Sequence, residues 1–374
     1  MGELTEMESL ECPLDPTLQE DLEKIAVSSL PWSVLERSTL LVTGATGLIG
    51  SILVKAILTI NRLHNTQIQI IAMVHSLEKA FSTFGTLLNR PELNIISGDI
   101  AVPFAVNHSV DYIIHTASIT ASKELVTHPV NAIEVAVEGT KNILELAKKK
   151  KCKSVVYLSS MEVYGTFSSL DKHRITENEL GYVDLSSVRS CYPESKRMCE
   201  NMCICYATQY NIPVKIARLA QTFGAGVPLS DNRVFAQFAK SAIAGKNIVL
   251  HTKGESNGNY CYTADAVLGI LTILLLGENT QAYNVVSEVA TTTIAQMAKM
   301  VSERITQGKS SLIFDIPANS QTYGYAPDVK LRLSSQKIES LGWKPLIAPE
   351  LETMYRRLIA SFKAQAKTFT ISPF

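Results

Sequence analysis

From residue 39 onward, short apolar runs alternate with longer amphipathic stretches. Leu40-Leu41-Val42 is a continuous apolar run of the buried-strand type, broken by the segment from Gly44 to Gly50. Apolar residues then recur at helical spacing over residues 48–63. Further apolar runs at 68–74, 94–100, 112–114, 154–159 and 214–219 predict more strands. Long helices are predicted over 130–151, where a terminal lysine run suits a helix C-terminus, and over 191–210. Apolar strands separated by helices imply an α/β fold, a parallel sheet covered on both faces.

After Gly224 the order loosens. Helices are predicted over 233–245, 265–276, 293–305 and 350–366, and short strands over 247–250, 283–286 and 312–315. This reads as a smaller mixed α/β lobe, with a ligand cleft between the lobes. Residues 1–37 form an acidic extension with one short helix over 16–28, serving as a tail, a lid or a dimer strap. The expected division is therefore 1–37, 38–224 and 225–374.

Composition narrows the function classes. Hydrophobic residues make up 46% of the 374 positions and charged residues 19%, which excludes a disordered chain. Lys+Arg and Asp+Glu both number 35, so no global charge draws the chain to nucleic acid or to an anionic membrane. The seven cysteines include no C-x-x-C pair, and they read as reduced, apolar side chains with no metal site. The most apolar stretch, 266–277, is too short to span a bilayer, and the first 30 residues lack the basic-then-apolar order of a signal peptide. A cytoplasmic protein that binds neither membrane nor nucleic acid is expected.

Two motifs carry chemistry. Thr43-Gly44-Ala45-Thr46-Gly47-Leu48-Ile49-Gly50 sits between a predicted strand and a predicted helix. Glycines there permit a tight turn and let backbone N–H groups approach a pyrophosphate at the helix N-terminus. Gly44, Thr46, Gly47, Leu48 and Ile49 are the candidate cofactor contacts. Downstream, Tyr192-Pro193-Glu194-Ser195-Lys196 places a Tyr and a Lys at i and i+4 on one helix face. A free phenol, with a pKa of ~10, is a poor base at neutral pH. A nearby ammonium and an oxidised nicotinamide favour the phenolate, so Tyr192 and Lys196 are expected to act together.

The G-x-x-G-x-x-G spacing resembles that of short-chain dehydrogenases/reductases, and the chain from Thr39 on is similar to their extended branch of nucleotide-sugar epimerases, dehydratases and decarboxylases. The resemblance implies a Rossmann-type doubly wound sheet with a smaller C-terminal substrate lobe, a homodimer, and a transient keto-sugar intermediate. It assigns Ser160 to the reacting oxygen, Glu162 to proton transfer or substrate orientation, and Tyr192 and Lys196 to both catalysis and cofactor binding. It also maps Asp99 and Ile100 to the adenine and Ala117 to the cofactor-lining loop. The acidic residue expected after the second strand is not obvious, since the chain reads His75-Ser76 there with Lys79 following; this leaves NADP open beside NAD. His75 is the candidate contact at that position.

The likeness is densest to UDP-glucuronate decarboxylases: Arg189-Ser190-Cys191-Tyr192, Ala217 to Gly224, Asp231-Asn232-Arg233-Val234, Tyr262 with Asp265, and Leu341-Gly342-Trp343. Departures cluster in the substrate half. Met161 replaces the Ser or Asp beside the family's Glu. Gln221 replaces an Asn, Gly258 the arginine that clamps the pyrophosphate, and Tyr325 a second active-site arginine. Glu162, Gln221, Arg233 and Tyr325 are the candidate substrate contacts. Nucleotide sugar is the favoured substrate class. The alternatives are a net reductase or dehydrogenase of a smaller hydroxylated molecule, or a cofactor-binding scaffold without turnover.

Overall fold

The structure is a computed structural model that describes residues 10–167, 173–316 and 331–371. The chain runs α1 (Pro16–Ala26), β1 (Thr39–Thr43), α2 (Leu48–His64), β2 (Gln69–Val74), α3 (Leu77–Phe84), β3 (Leu93–Ser97), β4 (Tyr112–His115), α4 (Ser122–Thr127) and α5 (Pro129–Lys150). It continues through β5 (Ser154–Ser160), α6 (Cys191–Tyr210), β6 (Val214–Leu219), β7 (Gln221–Phe223), α7 (Val234–Ile243), β8 (Ile248–Leu250), β9 (Asn257–Tyr262) and α8 (Thr263–Leu276). It closes with β10 (Ala282–Val285), β11 (Ser287–Thr293), α9 (Ile294–Met300), β12 (Leu312–Phe314), α10 (Gln336–Glu339) and α11 (Leu351–Ile371).

Seven parallel strands form the main sheet in the order β10-β6-β5-β4-β1-β2-β3. Strand order reverses between β1 and β4, so their carboxyl ends open the crevice where doubly wound sheets bind ligands. One face is covered by α5 and α6 around Ile113, Val155 and Ile216. The other is covered by α2 and α8, with α1 and α11 outside them, around Val42, Ile57 and Leu271. Local chemistry sets the helix ends. Pro129 opens α5, three lysines fill its last turn, and Lys151 caps it in the left-handed region. The third strand stops at Ser97, short of the expected residue 100. Asp99 turns the chain there by accepting the Ala101 N–H at 2.9 Å.

The N-terminal segment is part of the core. Leu18, Leu22, Ile25, Trp32 and Leu35 are buried in the same cluster as α2 and α8. Asp21 is buried; it accepts the Tyr262 hydroxyl and an Arg357 N–H and so ties α1 to β9 and α11. A buried carboxylate is tolerated here because both of its oxygens are paired.

The C-terminal part is interleaved with the main sheet. β10 pairs with β6, and α8 packs on β5, β6 and β10, so the chain returns to the main sheet after residue 224. Among the described residues, the strands outside the main sheet are β7, β9 and β11, in a three-stranded sheet, and β8 with β12. Asp265 accepts the Ile347 and Ala348 N–H groups, and Trp343 donates to the Asp265 carbonyl; these residues staple the lobe. The helix expected over 293–305 starts with a Thr293–Gln296 capping box and changes at Val301 into one π-helical turn. Among the described residues, no helix is long and apolar enough to cross a membrane.

Candidate active site

Gly44 leaves β1 with φ +61°, and a Cβ there would lie 2.8 Å from the Ala117 backbone and 2.9 Å from Thr116 Oγ1. A Cβ on Gly50 would lie 2.3 Å from the Gly44 carbonyl oxygen. The turn is therefore shaped by backbone approach that no side chain permits. Gly47 precedes α2, whose first N–H groups, beginning with Leu48 and Ile49, have no intrahelical acceptor and face outward as anion donors. Thr46 lies in the turn itself. This cradle fits a dinucleotide pyrophosphate.

The loop after β4 is locked to the cradle. His115 is buried, with Nδ1 2.7 Å from Thr43 Oγ1, and Thr43 Oγ1 accepts the Ala117 N–H at 3.2 Å. Thr116 Oγ1 donates to the Thr43 carbonyl at 2.6 Å. Burial, reinforced by the Lys196 charge, pushes His115 down to about 3, so it stays neutral as a spacer. Ile100 packs against Gly139, where a Cβ would come within 3.1 Å of it. His75 and Asp99 are exposed at the ends of β2 and β3, on the same edge of the sheet.

β5 delivers the remaining chemistry. It ends at Ser160, and a single 3₁₀ turn, Met161–Tyr164, follows. Ser160 Oγ accepts the Glu162 N–H at 3.2 Å, and Ser160 lies near enough to the Tyr192 hydroxyl to lower its proton affinity. Glu162 Oε1 accepts Arg189 Nη2 at 2.9 Å, and the guanidinium lies 5.5 Å from the centre of the Tyr192 ring. Ser160, Glu162, Arg189 and Tyr192 thus converge. Lys196, one turn along α6, is buried with its Nζ 5.8 Å from the Tyr192 ring centre. It donates to the Leu158 carbonyl at 2.7 Å.

The electrostatics differ from the expectation that the ammonium draws the phenol down. Burial, with the Glu162 charge adding to it, pushes Tyr192 up to about 12, against the Ser160 hydrogen bond and Arg189. Burial also pulls Lys196 down to about 8. Both groups are desolvated, and desolvation opposes the charged form of each. The site by itself holds Tyr192 protonated.

The other candidate residues are dispersed. Met161 points into an apolar cluster with Val163, Tyr164, Leu331 and Leu333. A carboxylate at that position would be buried among them, which is the physical reason for methionine. Gln221 is exposed on β7, in register with Tyr260. Arg233 is forked onto Asp231 at 2.6 and 3.0 Å on the surface. Neither Gln221 nor Arg233 has a hydrogen bond or ion pair, among the described residues, to the Tyr192 group. Tyr325 lies outside the described residues. A Cβ at Gly258 would sit 2.2 Å from the Tyr260 hydroxyl, so Tyr260 occupies the space that a longer residue would need. The site residue underrated by motif reading is Arg189, three positions before Tyr192, because no local rule aims it at Glu162.

A family model, NAD dependent epimerase/dehydratase family, matches residues 40–286. UDP-glucuronic acid decarboxylase 6 from Arabidopsis thaliana is 29% identical over 309 residues, covering 82% of this chain and 84% of that protein. Among solved structures, the Thermotoga maritima UDP-glucose 4-epimerase with UDP-glucose matches with a TM-score of 0.71 at 20% identity, covering 88% of this chain and 99% of that one. The Bacillus anthracis dTDP-glucose 4,6-dehydratase in complex with NAD has a TM-score of 0.70 at 18% identity, covering 88% and 98%. The matched span contains the glycine cradle, the β5 turn and the Tyr192/Lys196 helix. A Rossmann-type sheet with that cradle and the Tyr/Lys helix, matched over most of the chain, is the framework of one group of enzymes: the chain belongs to the NAD-dependent epimerase/dehydratase family, in the extended branch of the short-chain dehydrogenases/reductases.

Proposed function

We propose that the protein oxidises a hydroxyl of a nucleotide sugar to a ketone, completes a second step on the keto-sugar, and returns the hydride within the same turnover. The observation that carries this reading is the convergence of Ser160, Glu162 and Arg189 on Tyr192, at the same edge of the sheet as the Gly44 cradle. Bound NAD would supply the hydride acceptor and, in its oxidised form, a positive charge at the nicotinamide. Ser160 holds the reacting oxygen, Tyr192 exchanges its proton, and Lys196 supports Tyr192 and the cofactor ribose. Glu162, kept in place by Arg189, orients the sugar or takes a carbon-bound proton. NAD is the cofactor of this reading; because His75 rather than a carboxylate directly follows β2, NADP affinity is measured alongside.

The test is incubation with NAD and each of UDP-glucose, UDP-N-acetylglucosamine, dTDP-glucose and UDP-glucuronate, followed by product analysis. Conversion without accumulated NADH supports the reading. Stoichiometric NADH with an oxidised product indicates a net dehydrogenase, and binding without conversion indicates a scaffold. UDP-glucuronate is expected to give negligible UDP-xylose and CO₂. Met161 is apolar, and Gly258, where the resembling enzymes carry a clamping arginine, is closed by Tyr260. Losing a charge-assisted contact in a water-poor site costs ~1.5–3 kcal/mol. Robust xylose formation would overturn this expectation. The Tyr260 ring also favours the second reading, a smaller hydroxylated substrate, and a reductase assay with NADH and short hydroxyketones addresses it.

The same reading includes a homodimer through α5 and α6. Cys199 and Cys203 turn into the protomer's own core, leaving Met198 and Tyr210 on α6 with Val130 and Ile133 on α5 as the large outward apolar residues, 56%, 38%, 66% and 42% exposed. A second copy covering this face gives a symmetric interface. Light scattering at micromolar concentration is expected to give twice the chain mass; a monomer refutes it.

A further inference from the structure

Behind the candidate site, one guanidinium joins its two halves. Arg218, on β6, donates Nε to Glu200 Oε1 at 3.0 Å and Nη2 to Glu200 Oε2 at 2.7 Å. Glu200 lies one turn beyond Lys196 and two beyond Tyr192, on the same stripe of α6. The third nitrogen, Nη1, donates to the Tyr164 hydroxyl at 3.0 Å and to the Glu177 carbonyl at 2.9 Å. The Tyr164 hydroxyl in turn donates to Asn284 Oδ1 at 2.7 Å. Tyr164 is the last residue of the 3₁₀ turn that carries Glu162 and directly follows Ser160. The next residue, Gly165, turns away with φ +63°, and a Cβ there would strike the Tyr182 carbonyl oxygen. The turn is thus a short peg between β5 and a sharp bend, held at its far end by Tyr164. Arg197 of α6 adds a second hold, with Nε donating to the Val163 carbonyl at 2.8 Å.

We propose that Arg218 and Tyr164 are positioning residues for the reaction: together they hold the Met161–Tyr164 turn, and with it Ser160 and Glu162, in register with Tyr192 on α6. This rests on the function proposed above. The geometry suits such a task. The Arg218 and Glu200 side chains are only 7% and 11% exposed, so the fork is shielded from water and salt. The pair carries no net charge, so its field at Tyr192 is that of a dipole and falls off faster than that of a lone charge. Tyr164 is fully buried and can place its hydroxyl in one direction only. Ser160 and Glu162 act on Tyr192 with opposite sign, one lowering and one raising its proton affinity. A turn free to shift would therefore change both the hold on the reacting oxygen and the Tyr192 proton. Misplacement of about 1 Å costs up to ~10²-fold in rate.

Substituting Arg218 leaves Glu200 buried and unpaired, and that variant can fail to fold. Tyr164→Phe keeps the ring and removes only the hydroxyl. Tyr112→Phe is the control, a buried tyrosine whose hydroxyl donates to the Val34 carbonyl at the start of β4, the opposite end of the sheet. On whichever of UDP-glucose, UDP-N-acetylglucosamine or dTDP-glucose the wild type converts, Tyr164→Phe is expected to lower kcat about tenfold or more, with KM and NAD affinity within twofold. Its melting temperature should stay within a few degrees. Hydrogen exchange at the Glu162 and Gly165 amides, bonded to Ser160 Oγ and the Glu162 carbonyl, should accelerate about tenfold while α6 stays protected. Unchanged kcat with unchanged exchange overturns the proposal. So does a kcat loss that Tyr112→Phe reproduces at an equal loss of melting temperature. If the wild type converts none of the three sugars, the functional reading fails separately, and exchange alone decides the hold: unchanged amide protection in Tyr164→Phe overturns it.

Discussion

Tyr192→Phe is expected to cut turnover by ~10²–10⁴-fold while dinucleotide affinity stays within a few-fold of wild type. The ring packs against Leu125 and Ala132, and phenylalanine preserves that packing. What is removed is the hydroxyl whose proton affinity Ser160, Glu162 and Arg189 set between them. The glycine cradle is built from β1, α2 and the loop after β4, and the substitution does not reach it. Rates measured by product formation, and affinity by quenching of protein fluorescence, separate the two effects. Turnover within a few-fold of wild type would remove Tyr192 from the chemistry.

Lys196→Met should abolish turnover to a similar extent, yet the variant should melt no lower than wild type near neutral pH. Lys196 is buried with no carboxylate bonded to it among the described residues, and burial brings it from the ordinary 10.5 to about 8. That depression corresponds to roughly 3 kcal/mol against the charged form. An unfolded lysine keeps its proton up to about pH 10.5, whereas the folded one releases it near 8. The folded state therefore bears the full penalty below pH 8, and the penalty fades as pH climbs toward 10.5. Methionine removes the penalty but leaves the Leu158 carbonyl without its donor, which offsets about 1 kcal/mol. Melting temperature at pH 7 is expected to be equal or a few degrees higher in the variant, with the gap closing by pH 10. A large drop at pH 7 would show that the lysine stabilises the fold.

Much of this was legible locally. The glycine cradle follows from a turn that must bring backbone N–H groups to an anion, and the i,i+4 spacing of Tyr192 and Lys196 follows from helix period alone. Continuous apolar runs identified the first six strands of the main sheet, because a parallel strand is buried on both faces. Strands β7, β9 and β11 escaped: Asn257-Gly258-Asn259-Tyr260 has neither an apolar run nor clean alternation, and its polar residues are paid for by distant partners. Asn259 bonds the Leu331 carbonyl and the Leu333 N–H, 72 and 74 residues away.

The sequence by itself determined the glycine cradle, the six strands around it and the face of the helix that carries Tyr192 and Lys196. Those features depend on residues within a few positions of one another, where sterics and helix period act directly. Only the tertiary structure decided that residues 10–37 belong to the core, that β10 completes the large sheet, and that Arg189 meets Glu162. It also decided the Tyr192 proton, since burial by elements far apart in the chain outweighs the lowering pull of Ser160 and Arg189. Hydrogen bonds and desolvation act through space, and the spacing of residues along a chain carries no record of which distant groups will share a cavity.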